Sequence, residues 1–379
     1  MQKNKNKIVL LLKNHISDYD YIRFDLKYLT SKYDVIFLDL QKILLKKSLY
    51  KNNTTKIRAK DVKNIYSFFK ILRKINIKNI ISFVGHPKNF LEFFLYIILK
   101  YYKCNISFID LAPKVGTTFK TENKLFFYSR NFSKFIKVTK KYIFNQFYKF
   151  FKIDYENVIV GGAIEQNNRH KYFKNIIKSH SLDFSLFKNL YLDVTGVKAK
   201  YTGKDYAIFL DDDLPEHIDY KINKQEPPVN DIKKYYNELL TFFKFFESNF
   251  NLEIIIASHP KREKLSYFKN FKIIKYKTPE LIMNSSVTFV HASNSLSFSV
   301  LAKKPIIFLT SHEINRSWMG SRIVNLSKIL NSRLLNIDNK DYNLSKENLL
   351  ICKKSYQNYK NKYLICDENI KSIWSNLDF

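Results

Sequence analysis

Glycine is scarce: the 379-residue chain holds seven. None of them falls into G-x-G-x-x-G or G-x-x-x-x-G-K-S/T, so neither a dinucleotide fingerprint nor a P-loop is present. Any bound phosphate must be held by helix ends, hydroxyls and basic side chains. No G-x-S-x-G elbow occurs, which argues against an α/β-hydrolase nucleophile. Cysteine is rarer still, and Cys104, Cys352 and Cys366 show no C-x-x-C and no neighbouring histidine pattern. That excludes a disulfide framework or a zinc site as a reading of these positions, and a reducing cytoplasm is the natural setting. Acid is outnumbered, 34 Asp+Glu against 65 Lys+Arg, for a net charge of +31. Such a balance suits nucleic acid, an anionic membrane face or phosphorylated substrates without choosing among them, and an AT-rich genome writing Lys at tolerant positions gives the same numbers. Long apolar runs are missing too. Ile8 to Leu12 is too short for a signal-peptide core. "FLEFFLYIILKYYK" (90–103) contains Glu92 and Lys100 and falls short of the roughly 20 apolar residues that span a bilayer. No segment is expected to cross a membrane.

What the chain does have is rhythm. A hydrophobic share of 45% over this length fits two domains of ordinary size. Strand-like runs at 7–12, 34–40, 77–85, 105–112 and 157–163 are separated by mostly amphipathic intervals, and a second set follows at 205–212, 252–258, 271–276, 287–293 and 305–311. Helices are expected over 231–250, 278–285, 295–304 and 319–331. This βαβ alternation predicts an α/β protein of two parallel-sheet halves, 1–195 and 196–379, with the junction inside 185–204.

Parallel sheets bind ligands beyond the carboxyl ends of their strands, and the second half concentrates polar residues there. "EIIIASHPKREKL" ends a strand at Ser258, His259 and Pro260, with Lys261 and Arg262 beside them. "VTFVHASNSLSFSVLAKK" ends one at His291 to Ser293 and opens a helix near Asn294 or Ser295, with Ser297 one turn in; hydroxyls and free N–H groups at such a turn suit a phosphate. "PIIFLTSHEINR" ends in Thr310, Ser311 and His312. "YAIFLDDDLPEHIDY" ends in Asp211, Asp212 and Asp213, followed by Glu216, His217 and Asp219. Adjacent carboxylates repel one another, so at least one of the three is expected to titrate above the ordinary range if partly buried.

Two Rossmann-like halves, an HP dipeptide after a second-half strand, a serine-rich turn some 35 residues later and an acidic cluster upstream resemble the GT-B glycosyltransferases. More narrowly they resemble bacterial sialyltransferases and related nonulosonate transferases of lipopolysaccharide and capsule synthesis. The resemblance is carried by residues 205–311. It implies two domains facing each other across a crevice, the first on the acceptor side, the second on the donor side and the last helix, near 360–379, packing on the first. It also implies a general base among Asp211, Asp212 and Asp213, with His259 and Pro260 at the nucleotide phosphate and Ser293, Ser295 or Ser297 holding phosphate. Ser258, Lys261 and Asn294 join that nucleotide set by position. The chain departs from the D/E-D/E-G acidic motif, since Asp213 is followed by Leu214 and Pro215.

The activity so implied is metal-independent, inverting transfer from a CMP-nonulosonate such as sialic, legionaminic or pseudaminic acid to a surface glycan, with no cofactor. UDP- or GDP-sugar and CDP-polyol donors are the alternatives. "AIFLDDD" also matches the D-x-D metal signature of GT-A enzymes, which two separate strand sets argue against. In the first half, a second HP at His86 and the turn around Asp110 and Gly116 are weak candidates for the acceptor side. "KLFFYSRNFSKFIKVTKKYIFNQFYKFFK" (124–152) interleaves Lys with Phe and Tyr. It suits an anionic membrane surface, where lipid-linked acceptors are found, and would make the protein peripheral on the cytoplasmic face of a bacterial inner membrane. The non-catalytic alternative is a basic RNA- or membrane-binding protein; nucleic acid is disfavoured because no RNA- or DNA-binding motif accompanies the charge.

Overall fold

The fold is that of a computed structural model, which describes residues 5–13, 16–44, 57–75, 78–83, 90–112, 115, 146, 155–163, 173–192, 205–217, 220, 225–259, 262, 264–367 and 369–378. The segment 124–152, apart from Gln146, lies outside the described residues, as do His86, Gly116, Pro260 and Lys261. The chain divides into two compact units. The first comprises Met1–Ala112, Thr118–Asn189 and Ile365–Phe379, and the second comprises Pro113–Thr117 and Leu190–Leu364.

In the first unit β1 (Lys7–Leu12), β2 (Asp34–Asp39), β3 (Lys60–Asp61), β4 (Asn79–Ser82), β5 (Asn105–Asp110), β6 (Tyr155–Gly161) and β7 (Phe173–Ser179) form one parallel sheet. Their order is β3-β2-β1-β4-β5-β6-β7. Continuous apolar runs form these strands because both faces of the sheet are covered. Val9 and Leu11 point into one core with the helices Ile65–Ile75 and Phe90–Tyr101. Ile8, Leu10 and Leu12 point into the other with the helix Leu26–Lys32. Gly161 has a packing reason: a Cβ there would stand 2.7 Å from the Leu111 carbonyl oxygen and 3.0 Å from the Ser181 Cα. The next residue, Gly162, turns the chain with φ 81.

The second unit repeats the plan with β8 (Tyr206–Leu210), β9 (Glu253–Ser258), β10 (Lys272–Lys275), β11 (Val287–Val290), β12 (Ile306–Thr310) and β13 (Leu334–Asn336), again all parallel, in the order β10-β9-β8-β11-β12-β13. Numbered from its own first strand this is 3-2-1-4-5-6, the order of dinucleotide-binding sheets, and it reverses between β8 and β11. The helix Ile232–Phe250 carries the main core stripe, Tyr235, Tyr236, Leu239, Phe242, Phe243 and Phe246, spaced as one helical face. Asp231 accepts from the Lys234 N–H at its start, and Asn251 closes its end with φ 52.

Three strands escape the sequence reading, and each is short or marginal in pattern. β3 has two residues, β13 three, and β7 (FKNIIKS) lies at a sheet edge with Lys174 and Asn175 exposed. The helix expected near 360–379 is corrected. A helix runs over Lys353–Tyr359 and continues as a wider turn over Lys360–Leu364, and residues 365–378 are a run of turns. Asp367 and Ser372 cap those turns, accepting from the backbones of Asn369 and Trp374, a local alternative to a helical ladder. The segment belongs to the first unit, where its carbonyls accept from its neighbours. Ser179 donates to Ile373, His180 Nε2 to Ile370 and Tyr33 to Leu377. Trp374 is fully buried among Ile8, Leu10 and Leu12, with its Nε1 donating to the Phe24 carbonyl at 2.7 Å. Trp374→Ala is expected to destabilise the first unit by about 3–5 kcal/mol, measured as the shift of its transition in urea.

Candidate active site

The four strands β8, β9, β11 and β12 deliver their carboxyl ends to one edge of the second sheet. Asp211 follows β8 directly and its N–H still donates to the Ala257 carbonyl on β9. Asp213 then turns with φ 51, the left-handed conformation that a glycine ordinarily supplies. In this turn the Asp213 N–H donates to Asp211 Oδ1 at 3.0 Å.

The residue that organises the cluster is Arg262, two places beyond Pro260. Its Nη1 donates to Asp211 Oδ1 at 2.7 Å and Oδ2 at 2.8 Å and lies 3.2 Å from Asp213 Oδ1. Nη2 donates to the Tyr236 hydroxyl, and Nε donates to the Lys264 carbonyl at 2.8 Å. The guanidinium is buried, with the Phe268 and Tyr236 rings 5.0 and 5.4 Å away. Burial pushes the Asp211 and Asp213 carboxyls upward and Arg262 opposes it in both. Burial also works against the charge on Arg262, yet Asp211, Tyr236 and Asp213 together raise its pKa above the ordinary value. With both carboxylate oxygens on a guanidinium, it is the ionised form of Asp211 that this pairing favours.

Asp212 faces differently. Its Oδ2 accepts from the Ala292 N–H at 3.3 Å across the gap between β8 and β11, and the Ser293 side chain bonds the same carboxyl. Burial pushes this carboxyl up to about 6, against the lowering effect of those two hydrogen bonds, while Asp211 raises it further and Arg322 lowers it. Of the three aspartates it is the one whose carboxyl is not ion-paired to Arg262 among the described residues. Arg322 comes from the helix Gly320–Leu330, and its Nη2 donates to Asn294 Oδ1 at 2.9 Å.

His259 lies beyond β9, half-buried, with Nε2 3.4 Å from Nε2 of His217 and the two rings edge to face. The His259 carbonyl accepts from the Arg262 N–H at 3.0 Å, and its own N–H bonds Asp211. Ser258 Oγ is buried without a hydrogen-bond partner among the described residues, and so is Ser297 Oγ. Ser295 precedes the short helix Leu296–Leu301 and makes no side-chain cap.

The structure thus joins Asp211, Asp212 and Asp213 with His259, Ser293 and, through Arg322, Asn294. Asp110, the last residue of β5, lies in the other unit. His291 is structural: Nδ1 donates to the Leu309 carbonyl at 2.8 Å, Nε2 accepts from the Tyr235 hydroxyl at 2.9 Å, and burial lowers its pKa to about 4, so it is neutral. Sequence reasoning left Arg262, Arg322 and Tyr236 without roles. A signal was there, since only nine of the 65 basic residues are Arg, and two of them stand within reach of these strand ends. Among the described residues no group of three or more His, Cys, Asp or Glu side chains is arranged to hold a metal ion.

The fold is GT-B-like, built from two Rossmann-type parallel sheets. It resembles a crystal structure of UDP-N-acetylglucosamine 2-epimerase at a TM-score of 0.50, with 11% identity over 96% of this chain and 92% of that one. It is also similar to the wall teichoic acid polymerase TagF, H444N variant, at 0.49, with 14% identity over 97% of this chain and 86% of that one. The S. aureus MnaA–UDP co-structure matches at 0.49, with 11% identity over 93% and 94% of the two chains. No protein-family profile matches the chain, and no curated protein sequence does. These likenesses describe architecture.

Removing one partner of a buried ion pair leaves an uncompensated charge. Arg262→Ala is therefore expected to cost about 3–5 kcal/mol, read as a lower denaturation midpoint, whereas Lys264→Ala, which loses only the exposed contact with Glu216, is expected to cost less than about 1 kcal/mol.

Proposed function

We propose that the protein is a glycosyltransferase that moves a sugar, with inversion and without a metal ion, from a nucleotide-activated donor to a cell-surface glycan. The observation that carries this reading is the place of Asp212, held by the Ala292 N–H at the reversal of strand order, where parallel sheets bind ligands; burial there pushes its carboxyl up to about 6. A general base works best when its pKa is close to the operating pH, and inverting transfer needs one group to take the proton of the acceptor hydroxyl. Asp211 and Asp213 have another task. They are the two acids of the D-x-D spacing, and between them stands the Arg262 guanidinium, which supports a site that works without a divalent cation.

The departing nucleotide needs positive charge and hydrogen-bond donors where its phosphate charge grows. His259 with His217, Ser293 and Arg322 offer both around the same strand ends. The HP and serine resemblance favours a CMP-nonulosonate as donor. A UDP-sugar, named in the epimerase of like fold, is the competing choice, with GDP-sugars and CDP-polyols behind it. The acceptor in this reading is a lipid-linked or growing glycan at the cytoplasmic face of the inner membrane.

Because only the ionised carboxyl accepts a proton, kcat/KM is expected to rise tenfold per pH unit below about 6 and to level off above it. Asp212→Asn removes that limb and lowers kcat by about 10²–10⁴-fold. A pH–rate profile with no limb near 6, or full activity in the variant, sinks the assignment.

His259→Ala is expected to reduce turnover at least tenfold, on the scale of losing a charge stabiliser. A thermal-shift panel of CMP, UDP, GDP and CDP on both proteins identifies the donor class. The correct nucleotide at 100 times its dissociation constant stabilises the native protein by about 2.7 kcal/mol, and that gain should shrink in the variant. If no nucleotide shifts either protein, the donor-site reading fails.

A further inference from the structure

Several buried groups outside the site have structural work, among them the Lys13–Glu92 ion pair and the Ser82–Tyr96 hydrogen bond. One surface is marked instead by exposed aromatic rings. On the helix Phe90–Tyr101, Phe90, Phe94 and Tyr101 are 61%, 47% and 76% exposed, and on the helix Ile65–Ile75, Tyr66 and Phe69 are 75% and 37% exposed. The first three recur at i, i+4 and i+11 and so lie on one helical face. The two helices pack on the same core through Phe68, Leu72, Phe93 and Ile98. Phe69 meets Tyr102 with ring centroids 5.3 Å apart, and Tyr102 meets Tyr101 at 5.5 Å. The aromatics therefore belong to one continuous face of the first unit.

Among the described residues the exposed charge on that face has one sign. Lys70 and Arg73 share the exposed stripe with Tyr66 and Phe69, at i+4 and i+7 from Tyr66, and Lys74 and Lys103 are exposed beside it. The helix Ile65–Ile75 has no acid in its sequence. On Phe90–Tyr101 the acid is Glu92, which is buried and paired to Lys13 at 2.8 Å. Asp61, just before the first helix, is paired to Lys42 at 2.7 Å.

We propose that this face, the outer stripes of helices Ile65–Ile75 and Phe90–Tyr101, docks the protein on an anionic lipid bilayer. An apolar stripe of Phe and Tyr with a parallel stripe of Lys and Arg is the pattern of an interfacial helix, rings entering the acyl boundary and cations meeting headgroups. A second copy of the chain is a poorer occupant, because a two-fold contact would set Lys70 and Arg73 against their own kind. RNA is poorer as well: stacking sites interleave cations with rings along a groove, whereas here the line Phe90, Phe94, Tyr101 carries no charge within it. The proposal does not rest on the donor reading, since it is tested by vesicle binding.

The test is co-sedimentation of the full chain with vesicles of phosphatidylglycerol and phosphatidylcholine, and with phosphatidylcholine alone. The wild type is expected to pellet with the anionic vesicles and to be released by salt. Phe94→Ser with Tyr101→Ser should weaken binding at least tenfold. Lys70→Gln with Arg73→Gln should weaken it roughly 25-fold at low salt, about fivefold for each charge, with thermal melting unchanged in both. If the aromatic pair lowers the melting temperature, the charge pair still gives the result. Failure of the wild type to pellet, equal binding by the variants, dissociation of a dimer by Phe94→Ser, or loss of RNA binding without vesicle binding would each overturn it.

Discussion

A guanidinium with almost no access to water sits at the root of the second unit's functional edge. Burying such a charge is expensive, and its cost is offset only where nearly every N–H finds an acceptor. Arg262 meets that demand with the carboxylates of Asp211 and Asp213, the phenol of Tyr236 and the carbonyl of Lys264. The loops after β8 and β9 and the second turn of the helix Ile232–Phe250 are thereby fixed to one another. With its two neighbours engaged on one side, Asp212 is left to the other, against Ala292 and Ser293 at the strand-order reversal. One buried cation thus takes two of three chemically identical side chains into the scaffold and leaves the third to an environment whose burial pushes its carboxyl up to about 6.

How much of this can be read in the chain follows from the range of each interaction. The strands that are buried on both faces, such as KIVLLL and YAIFL, announce themselves as unbroken apolar runs, and their positions agree with the expected ones to within a few residues. β7 does not, because an edge strand with Lys174 and Asn175 in solvent looks like a polar loop. The polar clusters at the strand ends are visible for the same reason the strands are, as the points where apolar runs stop. What one sequence hides is pairing. Nothing local ties Arg262 to Asp211, 51 positions earlier, or separates Asp212 from its neighbours. The left-handed turn at Asp213 is hidden for a different reason: glycine is the usual signal for it, and here an aspartate adopts it.

The first unit has a different dependence. Its second core is closed by Ile373, Trp374 and Leu377, which seal the face built from Ile8, Leu10 and Leu12. More than 350 positions separate these partners in the chain, so loop closure makes this a late contact.

That separation sets an order on the ribosome. The whole of the second unit from Leu190 to Leu364 is translated before the strip that finishes the first. During synthesis the second sheet has every residue of its own core at hand, while the first waits with one face open. The half made first is the half completed last, and over the seconds of elongation part of its core, the side later covered by Ile373, Trp374 and Leu377, stays exposed to water.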